Sequence, residues 1–318
     1  MSSFSRILPI TLILLPNLVT SCLSPSEEEH AAEDFSLRFA ASVDGQPLAC
    51  GEVLTGFGPE GASTVAPADL RFYVSDLQFW DADGEPIERA LDRNDFQYAS
   101  EAGEVALIDL TGGEDGACAG GAIGFAEGTS RTNAVITGQT ALDRVARVSF
   151  DVGVPQALMR EVILGGTAEA APSPLNEMYW SWASGYRHLV FNFAVETGAD
   201  ASGEGYVHIG SRDCSVEGGL ALEDQEACGF INTPRVELDF DLRADTVTLD
   251  VGALLGQLDF VSPVRDPETH EVIGEGPGVE CHSSPMQADC AQLFANLGLD
   301  PASGEASAAT NLAFTAEP

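Results

Sequence analysis

The residues of this sequence best suited to redox chemistry are two tryptophans in the stretch Met178–Arg187. Trp180 and Trp182 stand two positions apart, and in an extended strand this spacing places both indoles on one face. An indole is easily oxidised, so the pair is a candidate redox site. Large aromatic side chains are more often core residues, and burial in a β-sandwich core is the competing interpretation.

Histidine is the second residue type here with ligand chemistry, because neutral imidazole suits copper and zinc. Four histidines follow the N-terminal region: His188, His208, His270 and His282. No two of them have the close spacing of a metal site built on a single helix or strand, and a lone histidine is more often structural. A β-sandwich can nevertheless join ligands from distant strands. His208, with His188 beside the tryptophans, is the best candidate pair.

Sequence motifs of common enzymes are absent. The chain contains no G-x-S-x-G, no H-E-x-x-H, no Walker motif and no C-x-x-C-H haem site. A nucleophile with an adjacent base is therefore not visible. We expect a protein without enzymatic activity of its own.

The charge of the chain is strongly negative. All 14 basic residues are arginine, and 50 acidic residues bring the formal net charge to −36. Such a surface repels nucleic acid and anionic lipid, so neither is an expected partner. It would attract cations or a basic protein, although solubility alone also explains acidity.

The N-terminal sequence predicts an export signal. Residues 1–21 contain Arg6 and then the apolar run Ile7–Thr20, which is too short and too interrupted by proline to span a bilayer. The run ends in Leu18-Val-Thr-Ser-Cys22, which looks like a bacterial lipobox. Acylation of Cys22 would anchor the protein by lipid alone, in the periplasm or at the outer membrane or cell surface. Residues 22–33 then read as a flexible tether.

The other six cysteines predict disulfides, because an even number of cysteines in an exported protein is typical of that chemistry. Proximity in sequence favours Cys214–Cys228 and Cys281–Cys290, which leaves Cys50 for Cys118. Zinc ligation is the rival, but no C-x-x-C occurs.

Residues 34–318 are expected to form one all-β domain, an antiparallel sandwich or a barrel. Short alternating or apolar runs, separated by turn residues, predict many strands. We expect Val236–Leu242 and Val247–Val251 to pair as a hairpin. Ala288–Gly298 is the one firmly indicated helix, with Gly298 as its stop, and Gln156–Leu164 could form another.

An ordered set of short segments resembles the MbnP family, also known as metallo-mystery pair four-Cys motif proteins. No single segment is decisive, but the set extends from Phe35 to Leu299. The segments are Cys50-Gly51, Asp69-Leu-Arg-Phe-Tyr-Val-Ser-Asp76, Val105-Ala-Leu-Ile-Asp-Leu110 with Cys118, Thr132-Asn133, Val152-Gly-Val-Pro155, Pro174-Leu-Asn176, Met178-Tyr-Trp-Ser-Trp-Ala-Ser-Gly-Tyr186, His208-Ile-Gly-Ser211 with Cys214, Cys228 with Asn232, Asp250, and Cys281 to Cys290 before Phe294 and Leu297-Gly-Leu299.

The resemblance implies an exported copper-binding sandwich paired with a di-haem protein of the MauG or cytochrome c peroxidase type, MbnH. That partner would oxidise a tryptophan to kynurenine at a copper site with histidines. On this chain the modified residue would be Trp180 or Trp182, and His208 would bind copper. We add His188 as a second candidate copper ligand on geometric grounds, because it directly follows the tryptophan segment; the resemblance does not assign it.

The sequence departs from the family pattern at one point. Members commonly carry Asn-His shortly after Gly-Val-Pro, whereas here Pro155 is followed by Gln156-Ala-Leu-Met159. Met159 could substitute as a soft ligand for reduced copper, or copper binding could be lost.

A second hypothesis needs no metal. The chain would then be a disulfide-stapled cell-surface sandwich for adhesion or scaffolding, with unmodified Trp180 and Trp182. A hydrolase is a distant third. The mass of the tryptophan-containing peptide and the metal content of the protein distinguish the copper-binding hypothesis from the metal-free one.

Overall fold

Two packed β-sheets form the scaffold of the described chain. The computed structural model describes residues 31–112, 118, 123, 130–164, 171–180, 185–198, 201–214, 228–266, 268–284, 286–306 and 311–318. Ala32–Pro318 form one compact unit. The predicted signal peptide, Cys22 and most of the predicted tether lie outside the described residues, as does Trp182.

The smaller sheet has six strands among the described residues. In spatial order they run β18-β15-β1-β9-β6, and β2 pairs with β1. The strand β1 pairs in parallel with β15 and antiparallel with β9. The bounds are β1 Glu33–Val43, β2 Gln46–Pro47, β6 Arg89–Leu91, β9 Val135–Thr140, β15 Thr246–Asp250 and β18 Phe314–Glu317.

The larger sheet has twelve strands among the described residues. Its main path is β14-β10-β4-β12-β13-β17-β16, while β3, β5, β7, β8 and β11 pair at its sides. The bounds are β3 Leu54–Phe57, β4 Ser63–Trp80, β5 Pro86–Ile87, β7 Gln97–Ser100, β8 Gly103–Asp109, β10 Arg147–Val152, β11 Tyr179–Trp180, β12 Gly185–Thr197, β13 Ala201–Gly210, β14 Arg235–Asp239, β16 Val261–Arg265 and β17 Val272–His282.

A group of phenylalanines joins the two sheets at the centre of the core. Phe39 and Phe314 come from the smaller sheet, and Phe72 and Phe150 come from the larger one. Their rings meet edge to face at centroid distances of 5.6 to 6.0 Å. Each such pair contributes about 0.5–1.5 kcal/mol beyond the area it buries. The alternation that predicted these strands therefore marks the faces that meet between the sheets.

The larger sheet is also covered on its outer face over part of its length. There a second apolar cluster includes Tyr73 of β4, Tyr186 of β12, and Leu158 and Met159 of α1. The helices of the described chain are α1 Gln156–Leu164, α2 Val251–Leu255 and α3 Ala288–Asn296. None of the described helices is long and apolar enough to cross a membrane. The outer cluster leaves the rest of that face available for a polar site.

The structure confirms the all-β sandwich and changes several of its details. Both sheets are mixed, because β1 pairs in parallel with β15 and β13 pairs in parallel with β17. The helix α1 forms with the predicted bounds, and α2 was not predicted. At its start, the Asp250 carboxylate accepts a hydrogen bond from Ala253 N–H, which is helix N-cap chemistry that ends the strand there.

The predicted hairpin of Val236–Leu242 with Val247–Val251 is wrong. The two strands belong to different sheets, since β14 pairs with β10 whereas β15 pairs with β1 and β18. The turn after β14 carries the chain from one layer to the other. Alternation gave the strands correctly, but it carries no information on which strand is the neighbour.

Candidate metal centre

Two rows of side chains cross four strands on the outer face of the larger sheet. The residues of β4, β12, β13 and β17 stand directly opposite one another in register. Partners in register point to the same face, and every second residue along a strand does so too. The first row is Arg71, Val190, His208 and His282, and the second is Asp69, Asn192, Tyr206 and Glu280.

His208 and His282 meet in the first row. Their Nδ1 atoms lie 3.0 Å apart, and their ring centroids lie 4.9 Å apart. His208 is only 3 % exposed, whereas the His282 side chain is 31 % exposed. The pair is therefore a buried imidazole joined to a second imidazole that still reaches solvent.

Asn192 fixes the protonation of the buried ring. The His208 Nε2–H donates to Asn192 Oδ1 over 2.7 Å, which leaves the lone pair of neutral His208 on Nδ1. This arrangement, in which the outward ring nitrogen is held by an oxygen acceptor, is usual for metal-binding histidines. Two facing lone pairs repel, so the 3.0 Å contact requires either a hydrogen or a metal ion between the two nitrogens.

Both rings favour the neutral form. Burial lowers the pKa of His208 well below its ordinary value, and the nearby His282, Arg187 and Arg71 lower it further. Burial also lowers the pKa of His282, although the Glu280 carboxylate opposes this effect. Neutral rings do not have to lose a proton before binding a metal ion.

Trp180 packs on this pair. The short strand β11 places Trp180 opposite Gly185 of β12, and the indole centroid lies 6.0 Å from that of His208 and 6.4 Å from that of His282. Trp180 is 6 % exposed. The structure therefore brings Trp180 to the candidate histidine, whereas Trp182 lies outside the described residues.

Two buried tyrosines anchor the segment before Trp180. The Tyr73 hydroxyl lies 2.8 Å from Pro174 O and 2.7 Å from Glu177 O, and Tyr186 donates to Leu175 O. Because Tyr73 and Tyr186 come from the sheet, these bonds fasten the segment to the same face that carries the histidines. Burial raises the pKa of both phenols, so both remain protonated donors.

A buried charge cluster continues this anchorage. Arg71 makes a bidentate pair with Asp69, at 2.8 and 2.7 Å, and also contacts Glu177 at 3.4 Å. Arg131 binds the other oxygen of Glu177 at 2.6 Å. Burial on its own would lower the pKa of Arg71, but the Asp69 carboxylate raises it, so the guanidinium stays charged. Glu177 thus ties the Trp180 segment to β4 and to Arg131.

His188 lies in a different setting from the pair. Its Nδ1 is 3.1 Å from Asn232 O and 3.5 Å from Thr233 Oγ1. A Cβ on Gly153 would come within 2.8 Å of the same nitrogen, so only glycine fits there. Burial lowers the pKa of His188 to about 4. Among the described residues His188 makes no hydrogen bond or ring contact with His208 or His282.

The remaining sequence candidates are placed as follows. Met159 is buried in the outer cluster, with its sulfur 3.5 Å from Ser211 Oγ. The disulfides are Cys50–Cys118, Cys214–Cys228 and Cys281–Cys290, which are the pairs that proximity favoured. The last of these sits directly before His282 and fixes the end of β17.

Sequence reasoning did not select His282 as a ligand. The only local signal was its position after Cys281, whose disulfide holds that strand end. Within the described ranges no group of three or more His, Cys, Asp or Glu side chains could hold a metal ion. The described chain thus brings two imidazole nitrogens, His208 Nδ1 and His282 Nδ1, to one place.

Comparison with known proteins gives one family and one solved structure. The MbnP family model matches residues 32–273. The solved structure of MbnP from Methylosinus trichosporium is 24 % identical, with a TM-score of 0.63, and the match covers 90 % of this chain and 98 % of that one. At this identity the structural likeness shows the fold alone. No curated protein matches.

Proposed function

This chain belongs to the MbnP family, and from that premise we propose that it is an exported copper-binding protein. Copper would be held by His208 and His282, and Trp180 would be oxidised to kynurenine by a di-haem partner of the MbnH type. The protein would serve copper binding or homeostasis and would not be an enzyme. The observation that carries this proposal is the contact of Trp180 with both rings of a close histidine pair.

The donor set fits copper. Imidazole nitrogen is a suitable ligand for copper, and two nitrogens bound side by side at about 2.0 Å from one ion lie about 3 Å apart. The measured 3.0 Å between the Nδ1 atoms matches that separation. Asn192 holds the outward nitrogen of His208, as a supporting acceptor should.

Two imidazoles alone are a weak site, and the modification would complete it. Kynurenine carries an aniline nitrogen and a carbonyl oxygen, both of which can face a borderline metal. The indole of Trp180 already packs against both rings, so opening it would release these atoms beside the pair. Bound copper would supply a redox-active cation, and the chain would supply its ligands and exclude bulk water from His208.

The oxidation can be written as a balanced reaction. The C2–C3 bond of the indole breaks, two oxygen atoms are added, and four electrons leave, which gives N-formylkynurenine. With hydrogen peroxide reduced at the partner's haem, two peroxides yield this product and two waters. Hydrolysis by one further water releases formate and frees the aniline nitrogen.

Export and lipid anchorage remain part of the proposal. The lipobox-like Leu18–Cys22 supports acylation of Cys22, and three disulfides are the chemistry of an oxidising compartment. The protein would then be held by its lipid in the periplasm or at the outer membrane or cell surface. The acidic surface would attract both copper ions and a basic patch on the partner.

The alternative is a metal-free surface sandwich for adhesion or scaffolding. The nearly complete burial of Trp180 is compatible with a purely structural indole. In this alternative the 3.0 Å contact between the two Nδ1 atoms would be an N–H···N hydrogen bond between neutral rings.

Peptide mass mapping tests the proposal. Cleavage after arginine gives a peptide of residues 161–187, which contains Trp180 and Trp182. Protein purified from the native host should carry kynurenine at Trp180 and one copper ion per chain. Unmodified indole at both positions, together with no copper, would refute the proposal and favour the structural sandwich.

A further inference from the structure

Tyr206 contacts both rings of the histidine pair and also lines an open groove. The Tyr206 ring centroid is 6.0 Å from that of His208 and 6.3 Å from that of His282. The planes of the Tyr206 and His282 rings are inclined by only 29°. The half-buried phenol also lines a groove of about 770 Å³ between β12, β13 and the hairpin of β16 with β17. Tyr206 is thus a tyrosine that touches both the pair and this groove, which His282 lines as well.

Burial increases along one strand from the groove to the pair. Ser202 of β13 is exposed, Glu204 and Tyr206 are half-buried, and His208 is buried. All four side chains point to the same face, since they alternate along the strand. Trp180, which packs on the two rings, is 6 % exposed and leaves little indole surface for direct contact with another protein.

Glu204 is positioned to accept the phenolic proton of Tyr206. The Tyr206 hydroxyl donates to Glu204 Oε2 over 2.5 Å. A phenol that loses an electron becomes a very strong acid, so its oxidation at neutral pH requires a proton acceptor at hydrogen-bond distance. A carboxylate in this position lets the electron and the proton leave together.

We propose that Tyr206, with Glu204 as its proton acceptor, is the relay through which electrons leave Trp180 for an oxidant docked at the groove. This inference rests on the proposed function. In each step Tyr206 would give one electron to the oxidant of a haem-peroxidase-type partner, and the phenolic proton would move to Glu204. The tyrosyl radical then takes one electron from the Trp180 indole and recovers its proton from Glu204. Tyr206 and Glu204 are unchanged, and four such steps remove the four electrons of the conversion. Two waters would supply the added oxygen atoms, and the four released protons would be consumed when two peroxides are reduced at the partner.

Tyr179 offers the rival path and the matched control. It precedes Trp180 in the chain and is also half-buried, but its ring contacts Tyr186 at 5.6 Å, and Tyr186 contacts Tyr73 at 5.9 Å. Tyr186 and Tyr73 are both fully buried. This second chain of rings leads into the outer cluster, away from solvent.

The test measures conversion of Trp180 over time in the native host. Peptide mapping would compare the natural chain with Tyr206→Phe, Tyr206→Trp, Glu204→Gln and Tyr179→Phe. We expect Tyr206→Phe and Glu204→Gln to form kynurenine several-fold more slowly. Tyr206→Trp should restore most of the rate because indole also carries electrons, and Tyr179→Phe should match the natural chain. Tyr206→Phe molecules that do become converted should still bind one copper ion.

Three results would overturn the relay. Conversion of Tyr206→Phe and Glu204→Gln at the natural rate would show that electrons do not pass through this phenol. Slow conversion in Tyr179→Phe alone would assign the path to Tyr179. Equally slow conversion in Tyr206→Phe and Tyr206→Trp would assign Tyr206 a packing role. If Tyr206→Phe fails to fold, the conversion rates of Tyr206→Trp and Glu204→Gln still decide whether the relay exists. Absence of kynurenine in the natural chain itself would instead refute the proposed function.

Discussion

The Nδ1 atoms of His208 and His282 lie 3.0 Å apart although the two residues are 74 positions apart in the chain. The parallel pairing of β13 with β17 sets them directly opposite each other. The disulfide Cys281–Cys290 holds the end of β17 beside α3. The pair is therefore fixed by sheet register and not by a local sequence motif.

Copper binding should depend on both members of the pair. His282→Ala and His208→Ala each leave a single imidazole, so we expect loss of stoichiometric copper. Asn192→Ala should weaken binding about 10–100-fold, as loss of a supporting hydrogen bond does. Copper content after dialysis and titration calorimetry measure both effects. The exposed His270 gives the control, and equal copper loss in His270→Ala would contradict the assignment.

Glu177→Gln should destabilise the fold and loosen the Trp180 segment. Glu177 is buried and bonded by Arg71 and Arg131. We expect removal of this charge from the buried network to cost about 3 kcal/mol of unfolding free energy, which is the lower end of the usual range. The cost stays at that end because Arg71 keeps its ion pair with Asp69. Urea unfolding followed by Trp fluorescence measures the loss. In the exposed pair of Glu33 with Arg243, Glu33→Gln should cost about 0–1 kcal/mol, and an equal loss in the two variants would argue against the network.

Asp109 should make stability depend on pH. Burial raises the pKa of Asp109 from its ordinary value of 3.8 to about 7. Between pH 3.8 and about pH 7, the folded chain therefore holds a proton on Asp109 that the unfolded chain has lost. This contribution is fully present below pH 3.8 and is lost as pH rises through 7. The slope per titrating group is about 1.4 kcal/mol per pH unit.

Asp109→Asn removes that titration. The free energy of unfolding of this variant, relative to the natural chain, should increase from pH 4 to pH 7 and then level off. Denaturant titrations at several pH values measure the difference. Asp143→Asn makes the same side-chain replacement at an exposed site and serves as the control. A constant difference for Asp109→Asn across this range would refute the shifted pKa.

The disulfide between Cys50 and Cys118 should be a large stabilising constraint. It joins residues 68 positions apart, and in the chain-entropy model a loop of this length contributes about 4 kcal/mol. The double variant Cys50→Ala with Cys118→Ala should lower the free energy of unfolding by about that amount in urea titrations. The natural chain with all three disulfides intact provides the comparison. A loss below about 1 kcal/mol would show that the unfolded chain keeps these residues together.

Much of the fold was visible in local patterns. Alternating apolar residues marked β1 and β10, because a strand with one buried face must repeat every two residues. The strands β4 and β12 were predicted from apolar stretches without that alternation, and they are buried along most of their length. The bounds of α1 and the extent of α3 also followed from the sequence. The disulfides Cys214–Cys228 and Cys281–Cys290 agreed with simple proximity, since short loops close at the smallest entropic cost. Cys50–Cys118 is the pair that these two leave.

Strand partners were not visible. The strands β14 and β15 are separated by a short turn, which is typical of a hairpin, yet they lie in different sheets. The partner of β15 is β1, some two hundred positions earlier, where Phe39 pairs with Val247. The energy that decides this pairing comes from both layers of the core together, and no window of sequence contains it.

The sequence by itself determined the class of fold, the disulfide framework, the resemblance to the MbnP family, and the interest of Trp180 and His208. Only the tertiary structure paired His208 with His282, placed His188 against Asn232, and brought Tyr206 into contact with both the pair and the groove. The physical reason is that side-chain type and alternation are local properties of the chain, whereas a ligand set on a sheet depends on the register of strands that are distant in sequence.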